Sequence, residues 1–173
     1  VIELERTYLA KELPKDLKEC ENKEIVDIYL PKASDHPVLR LRKNGDNYEM
    51  TKKKPIKDND SSKQLEQTIV LDKEEFEALQ KVSGKRVAKR RYRYPYQGLV
   101  AEFDVFTEDL VGLIVIDVEF ENEKEKDNFQ MPEFCLVEVT QDKFIAGGML
   151  CGKKYDDIKQ ELVKLEYKKI IFS

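Results

Sequence analysis

Hydrophobic and polar residues alternate with a period of two along most of this chain. On an extended strand that period sends apolar side chains to one face and polar ones to the other. Segments 25–30, 38–42, 47–53, 67–71, 86–93, 99–106, 112–121 and 136–140 follow it and are rich in β-branched and aromatic residues, which predicts strands. With the first segment, Val1-Ile2-Glu3-Leu4-Glu5, the total is about nine. Turn signals separate them at 31–37, at Asn44-Gly45-Asp46-Asn47, in the polar run 57–63, and at Ser83-Gly84 and Gln97-Gly98. Strands joined by such short turns are most simply antiparallel.

Two segments break the alternation. Asp72 followed by Glu75 has the form of a capping box, and Leu71 with Phe76 is placed to act as its hydrophobic staple, so a helix is expected over 73–81. Ile158, Leu162 and Leu165 fall at helical spacing with charges between them, an amphipathic helix suited to lie against a sheet. A shorter turn is expected at 141–145, while 121–129 is acidic and polar without a clear period. Antiparallel strands with one apolar and one polar face can close into a barrel whose polar side lines a tunnel, with helices on the apolar outside. The expected fold is therefore α+β and mainly β.

The 173 residues suit one domain, read as 1–173, with no internal repeat or low-complexity linker. Charged residues make up 38% of the chain, against roughly 25% in an ordinary globular protein. The net charge is only −4, so neither a polybasic tail nor an acidic disordered arm is present. No apolar stretch approaches the ~20 residues that span a bilayer, and the opening residues lack the plan of a signal peptide. A soluble, cytoplasmic protein without a membrane partner is the expectation. Cys20, Cys135 and Cys151 are far apart and have no Cys-x-x-Cys spacing, which argues against a disulfide framework or a structural zinc site. His36 is the only histidine and reads as a loop residue before Pro37, which argues against a catalytic triad and against a multi-histidine metal site.

Placing the charges on the strands changes the picture. Glu3 and Glu5 share a face, as do Arg40 and Arg42, Lys89 and Arg91, Glu102 and Asp104, and Asp117 and Glu119. Like charges two residues apart on a strand have Cα atoms about 6.6 Å apart. They repel by roughly 0.6 kcal/mol in water and about 2.5 kcal/mol at an effective dielectric of about 20. Nothing in folding rewards such pairs. A ligand with demands of both signs would, because carboxylates hold divalent cations and Arg or Lys hold phosphate oxygens. A polyphosphate with Mg²⁺ or Mn²⁺ fits. Residues 85–96 also carry six basic side chains with Tyr92, Tyr94 and Tyr96. A strand divides that run between two faces, so nucleic acid is not the expected partner.

Several segments, taken in order, carry a resemblance. They are Glu3-Leu4-Glu5, Asp27-Ile28-Tyr29-Leu30, Leu39-Arg40-Leu41-Arg42, Met50-Thr51-Lys52-Lys53, Lys89-Arg90-Arg91, Glu102-Phe103-Asp104, Asp117-Val118-Glu119-Phe120 and Glu138-Val139-Thr140. They resemble the Glu-x-Glu-x-Lys, Gln-Gly-Tyr-Leu, Arg-x-Arg, Leu-Thr-x-Lys, Lys-x-Arg, Glu-x-Asp, Glu-x-Glu-Phe and Glu-Val-Thr motifs of the CYTH family. Those triphosphate tunnel metalloenzymes include inorganic triphosphatases, thiamine triphosphatases and class IV adenylate cyclases. The resemblance implies an eight-stranded antiparallel tunnel in which Arg40, Arg42, Lys53, Lys89 and Arg91 bind the triphosphate of an inorganic or nucleoside substrate. It implies that Glu3, Glu5, Asp104, Asp117 and Glu119 hold Mg²⁺ or Mn²⁺, with Glu66 and Glu102 nearby. Tyr29 and Glu5 then serve catalysis by water on the terminal phosphorus. Dimers are common in the family, so a homodimer is a further expectation.

Departures from the motifs matter as well. Thr7 stands where the motif has its lysine, which removes one lumen cation and the partner of Tyr29. Asp117 is one methylene shorter than the glutamate it replaces. Gln64-Leu65-Glu66 keeps part of an acidic strand, and Phe144-Ile145-Ala146-Gly147-Gly148 lacks the usual Tyr-x-Asn. Metal-dependent triphosphate hydrolysis is the leading expectation. A cyclase making cyclic AMP from ATP and a non-catalytic triphosphate binder are the alternatives.

Overall fold

Alternating β-branched and aromatic residues produce nine strands in the computed structural model, which describes residues 1–58 and 60–173. They are β1 (Ile2–Ala10), β2 (Asn22–Leu30), β3 (Leu39–Asn44), β4 (Asn47–Lys57), β5 (Asp60–Leu71), β6 (Lys85–Tyr96), β7 (Leu99–Phe106), β8 (Ile114–Phe120) and β9 (Cys135–Glu138). The sheet order is β5-β4-β3-β2-β6-β7-β8-β1-β9, and β1 also pairs with β5. Ile2 opposite Leu65 and Leu4 opposite Lys63 close eight strands into a barrel. The short β9 continues the same edge of β1 farther on, with Tyr8 opposite Glu138. Every pairing is antiparallel, as the short connections require.

Most element ends shift by a few residues from the reading of the sequence, and the start of β5 shifts most. The polar run 57–63 has the composition of a turn, yet β5 begins at Asp60, and Lys57 lies opposite Asp60 at the end of the β4–β5 ladder. Backbone ladders on both sides of β5 hold Lys63 and Gln64 in strand conformation without any apolar side chain.

Four helices stand outside the barrel: α1 (Lys73–Leu79), α2 (Glu123–Asn128), α3 (Gly147–Leu150) and α4 (Tyr155–Lys164). The capping box of α1 forms, with Asp72 N–H donating to Glu75 Oε2 at 2.8 Å, and Phe76 packs 5.1 Å from the ring of Tyr48. The acidic stretch without a clear period contains α2, whose first turn is capped by Asn122 Oδ1 accepting from Glu125 N–H at 2.9 Å. Ile158 and Leu162 of α4 are buried, and Leu165 falls just past its end.

Two cores hold these parts together. The outward residues Leu4, Phe103, Ile116, Val118 and Phe120 meet Leu17, Phe129 and Phe134, with Phe172 packed against them, so extended segments cover this side of the barrel. Tyr92, Tyr94 and Tyr96 pack their rings edge-on against phenylalanines of that cluster and its border. The second core joins Leu9, Val87, Phe106 and Val115 to Ile145, Leu150, Ile158 and Leu162. Leu9, Phe106 and Val115 are the inward positions that follow the lumen charges along their strands, so the tunnel turns apolar at this end. Among the described residues no helix is long and apolar enough to cross a membrane.

The C-terminal segment is tied back by Tyr167, whose hydroxyl donates to Gly112 O and accepts from Ile114 N–H, both at 2.8 Å. Tyr167→Phe leaves both buried backbone groups without that partner and is expected to cost about 1–3 kcal/mol in urea unfolding. An unchanged midpoint would mean that the tail does not brace β8.

Candidate active site

Strand alternation sends Glu3, Glu5 and Thr7 inward from β1, Asp27 and Tyr29 from β2, and Arg40 and Arg42 from β3. Lys53 comes from β4, Glu66 from β5, Lys89 and Arg91 from β6, Glu102 and Asp104 from β7, and Asp117 and Glu119 from β8. All thirteen residues expected at the site line one cavity of about 310 Å³. His36, Pro37, Asp142, Lys143 and Gly147, from outside the strands, line it as well. Ten carboxylates and six Lys or Arg side chains line it, so the cavity is acidic overall.

The charges pair across neighbouring strands. Arg91 lies opposite Asp104, and its Nε and Nη2 donate to the two carboxylate oxygens at 2.7 and 2.8 Å. Its Nη1 pairs with Glu102, and Lys89 pairs with Asp104 as well. Burial alone would raise the pKa of Asp104, but Arg91 and Lys89 hold it well below the usual carboxylate range. Asp27 and Arg42 form a second buried pair, with Nε–Oδ1 at 2.7 Å and Nη2–Oδ2 at 2.8 Å. Burial opposes the ionised form of Asp27, yet Arg42 brings its pKa down to about 2. The ammonium of Lys53 bridges Glu3 and Glu5 at 2.7 and 2.8 Å. Burial disfavours its charge, but the two carboxylates raise its pKa well above the ordinary lysine value.

Other groups are not balanced. Among the described residues Arg40 makes one salt bridge, to Glu66 at 3.9 Å, and its Nε is buried without a hydrogen-bond partner. Burial pushes the pKa of Glu5 up, and the neighbouring charges of Asp117 and Glu3 add to it against the pull of Lys53. Glu119 rises too, first from desolvation and then from Glu102 and Glu3. Thr7, in the place of the motif's lysine, donates its hydroxyl to Asp117 Oδ1 at 2.8 Å. The Tyr29 ring is buried, and its hydroxyl lies so close to Gly147 that a Cβ there would come within 2.2 Å of it.

Three lumen contributors were not expected from the sequence. Asp27 sits two residues before Tyr29, so the strand period alone puts it on the same face. Gln64 donates to Glu5 Oε1 at 3.1 Å, and Thr140 accepts from Thr7 N–H at 3.0 Å. His36 reaches the cavity from a loop and Lys143 from a short 3-10 turn over Lys143–Ile145, where no period reveals orientation.

A closed antiparallel barrel with a lumen of segregated yet interlocking charges defines a tunnel protein of the kind that handles strongly anionic ligands. No family model matches the chain. A curated relative, the inorganic triphosphatase of Nitrosomonas europaea, is 34% identical over 144 residues, covering 82% of this chain and 91% of the relative. The crystal structure of an inorganic triphosphatase superposes with a TM-score of 0.64 at 31% identity, over 88% of this chain and 96% of the other. A Hippeastrum protein with a dominant triphosphatase activity shares the fold at a TM-score of 0.51 and 14% identity, over 72% and 82% of the two chains. This chain belongs to the CYTH family of triphosphate tunnel proteins.

The crowding of Glu119 has a measurable sign. Its pKa is raised in the folded state, so its ionised form weighs against folding at neutral pH, and the penalty disappears once the unfolded carboxyl is protonated below about pH 4. Glu119→Gln should therefore raise the melting temperature of the metal-free protein at neutral pH and leave it unchanged at acid pH. An unaltered or lower midpoint at neutral pH would show that the lumen carboxylates do not repel.

Proposed function

We propose that this chain hydrolyses inorganic triphosphate in its lumen with the help of Mg²⁺ or Mn²⁺. The observation that carries the reading is the opposed demand within one cavity: a buried Arg40 Nε that lacks an acceptor among the described residues, beside carboxylates in excess of the cations. A phosphate oxygen answers the first demand and divalent cations answer the second.

Among the described residues no three carboxylate, thiol or imidazole groups are already gathered into a metal cage. The Lys53 ammonium already bridges Glu3 and Glu5, which supports a cation position between these two carboxylates. Their hard oxygen donors suit Mg²⁺ or Mn²⁺. Glu3, Glu5 and Glu119 would hold the ion, with Asp117 and Glu102 at its margin. When bound, the metal supplies neutralisation of phosphate charge and a template for in-line displacement.

The remaining work falls to this chain's own side chains. Arg40, Arg42 and Lys53 bind phosphate oxygens. Arg91 and Lys89 lock Asp104 by occupying both its oxygens, so these three brace the basic wall against the acidic one. Asp104 accordingly acts as a brace rather than a metal ligand. Glu5, whose proton affinity is raised, lies where it can orient the attacking water, and Tyr29 borders the same cavity from the apolar end. Catalysis of this kind is chiefly positioning and electrostatics.

The test is phosphate release from inorganic triphosphate, ATP and thiamine triphosphate with Mg²⁺ or Mn²⁺, with the ATP incubation also scored for cyclic AMP. Inorganic triphosphate should be cleaved, chelation should stop the reaction, and Glu5→Gln and Arg40→Ala should each slow it by at least ~10²-fold. Cyclic AMP without free phosphate, or full activity in either variant, would overturn the assignment.

A further inference from the structure

Asp27 is the one acid that β2 sends inward, between the two strands that carry most of the basic wall. The register sets it opposite Arg42 on β3 and Val87 on β6. Both partners of the pair are buried, with Asp27 at 2% exposure and Arg42 at 7%. The carboxylate grips the guanidinium side-on, through Nε at 2.7 Å and Nη2 at 2.8 Å. That grip fixes the guanidinium plane and leaves both N–H groups of Nη1, with one of Nη2, to point elsewhere.

Arg91 is held by Asp104 in the same side-on way, but its Nη1 is further taken by Glu102. Arg42 has no second carboxylate partner among the described residues. It is thus the clamped arginine whose outer fork stays open. We propose that Asp27 is a positioning residue, which aims the free donors of Arg42 at a substrate phosphate. The inference rests on reading the lumen as a triphosphate site and assigns Asp27 no contact with the reacting atoms. Both its oxygens accept from Arg42, its sole side-chain hydrogen-bond partner among the described residues. Misplacing such a group by about an ångström costs on the order of 10²-fold in rate.

A double-mutant cycle separates the possibilities. Asp27→Asn, Arg42→Ala and the pair together are compared in kcat/KM for inorganic triphosphate and in calorimetric binding of inorganic triphosphate without divalent metal. Asp27→Asn should lower kcat/KM by about 10–100-fold and have no further effect once Arg42 is Ala. Losses that multiply in the double variant would mean that Asp27 acts on the substrate by itself, and would overturn the proposal. A lower unfolding midpoint with unchanged kcat/KM would reduce Asp27 to a structural acid and overturn it equally. If Asp27→Asn does not fold, the Asp27→Leu/Arg42→Met pair, which removes both charges, is compared with Arg42→Met, and equal kcat/KM in the two supports the clamp. If wild type binds triphosphate without cleaving it, the hydrolase reading fails and the same cycle read in binding still judges Asp27. A wild type that neither binds nor cleaves it overturns both.

Discussion

A closed sheet has no free face to hide a charge on, and that constraint governs this protein. Once β1 joins β5 through Ile2, Glu3 and Leu4, every strand must send alternate residues into the interior. Glu3, Asp104, Arg42 and Lys89 are therefore forced into one another's company rather than left in bulk water. The apolar alternates Leu4, Phe103 and Val118 are driven the other way, into the core beneath the covering segments.

Interior charges of this number survive only by mutual satisfaction, because an unpaired buried ion is strongly destabilising. The barrel answers with lateral pairs between neighbouring strands, such as Arg91 with Asp104 and Arg42 with Asp27. These pairs relieve the same-sign neighbours along each strand and also fix side chains that would otherwise be flexible. Compensation is incomplete in two places, at Arg40 and at the Glu5–Glu119 group. A ligand carrying phosphate and metal meets both deficits at once.

The alternation was enough to place about nine strands and to put Glu3 with Glu5, Arg40 with Arg42, Lys89 with Arg91, Glu102 with Asp104 and Asp117 with Glu119 on common faces, since i and i+2 on a strand share a face whatever the rest of the fold does, whereas Tyr29, Lys53 and Glu66 entered through the family resemblance. It could not say which carboxylate would meet which cation, because pairing depends on register between strands. Asp27, two residues before Tyr29, went unnamed as a lumen residue, and its pairing with Arg42 could not be read at all. The start of β5 was hidden for a related reason: Ser61, Ser62 and Lys63 look like a turn, and only the ladder to β4 makes them a strand. His36 lies on a loop, and Lys143 on a 3-10 turn anchored by the packing of Ile145, and neither segment has a local period to read. The cover over β7 and β8 was equally illegible, because Phe134 and Phe172 belong to segments without regular structure.

The placement of β1 also bears on how the molecule comes into being. Its edges are claimed by β5 on one side and by β8 on the other, with Leu4 opposite Phe120 and Tyr8 opposite Ile116. Although β1 precedes the other eight strands in the sequence, it needs both β5 and β8 as neighbours, and the ring cannot shut until β8 is in place. Until then its glutamates remain in water, apart from the lysine and arginines that later enclose them. Pairings so distant in sequence slow the search for the native state. The site has no partial form: it appears only when the last gap in the ring closes.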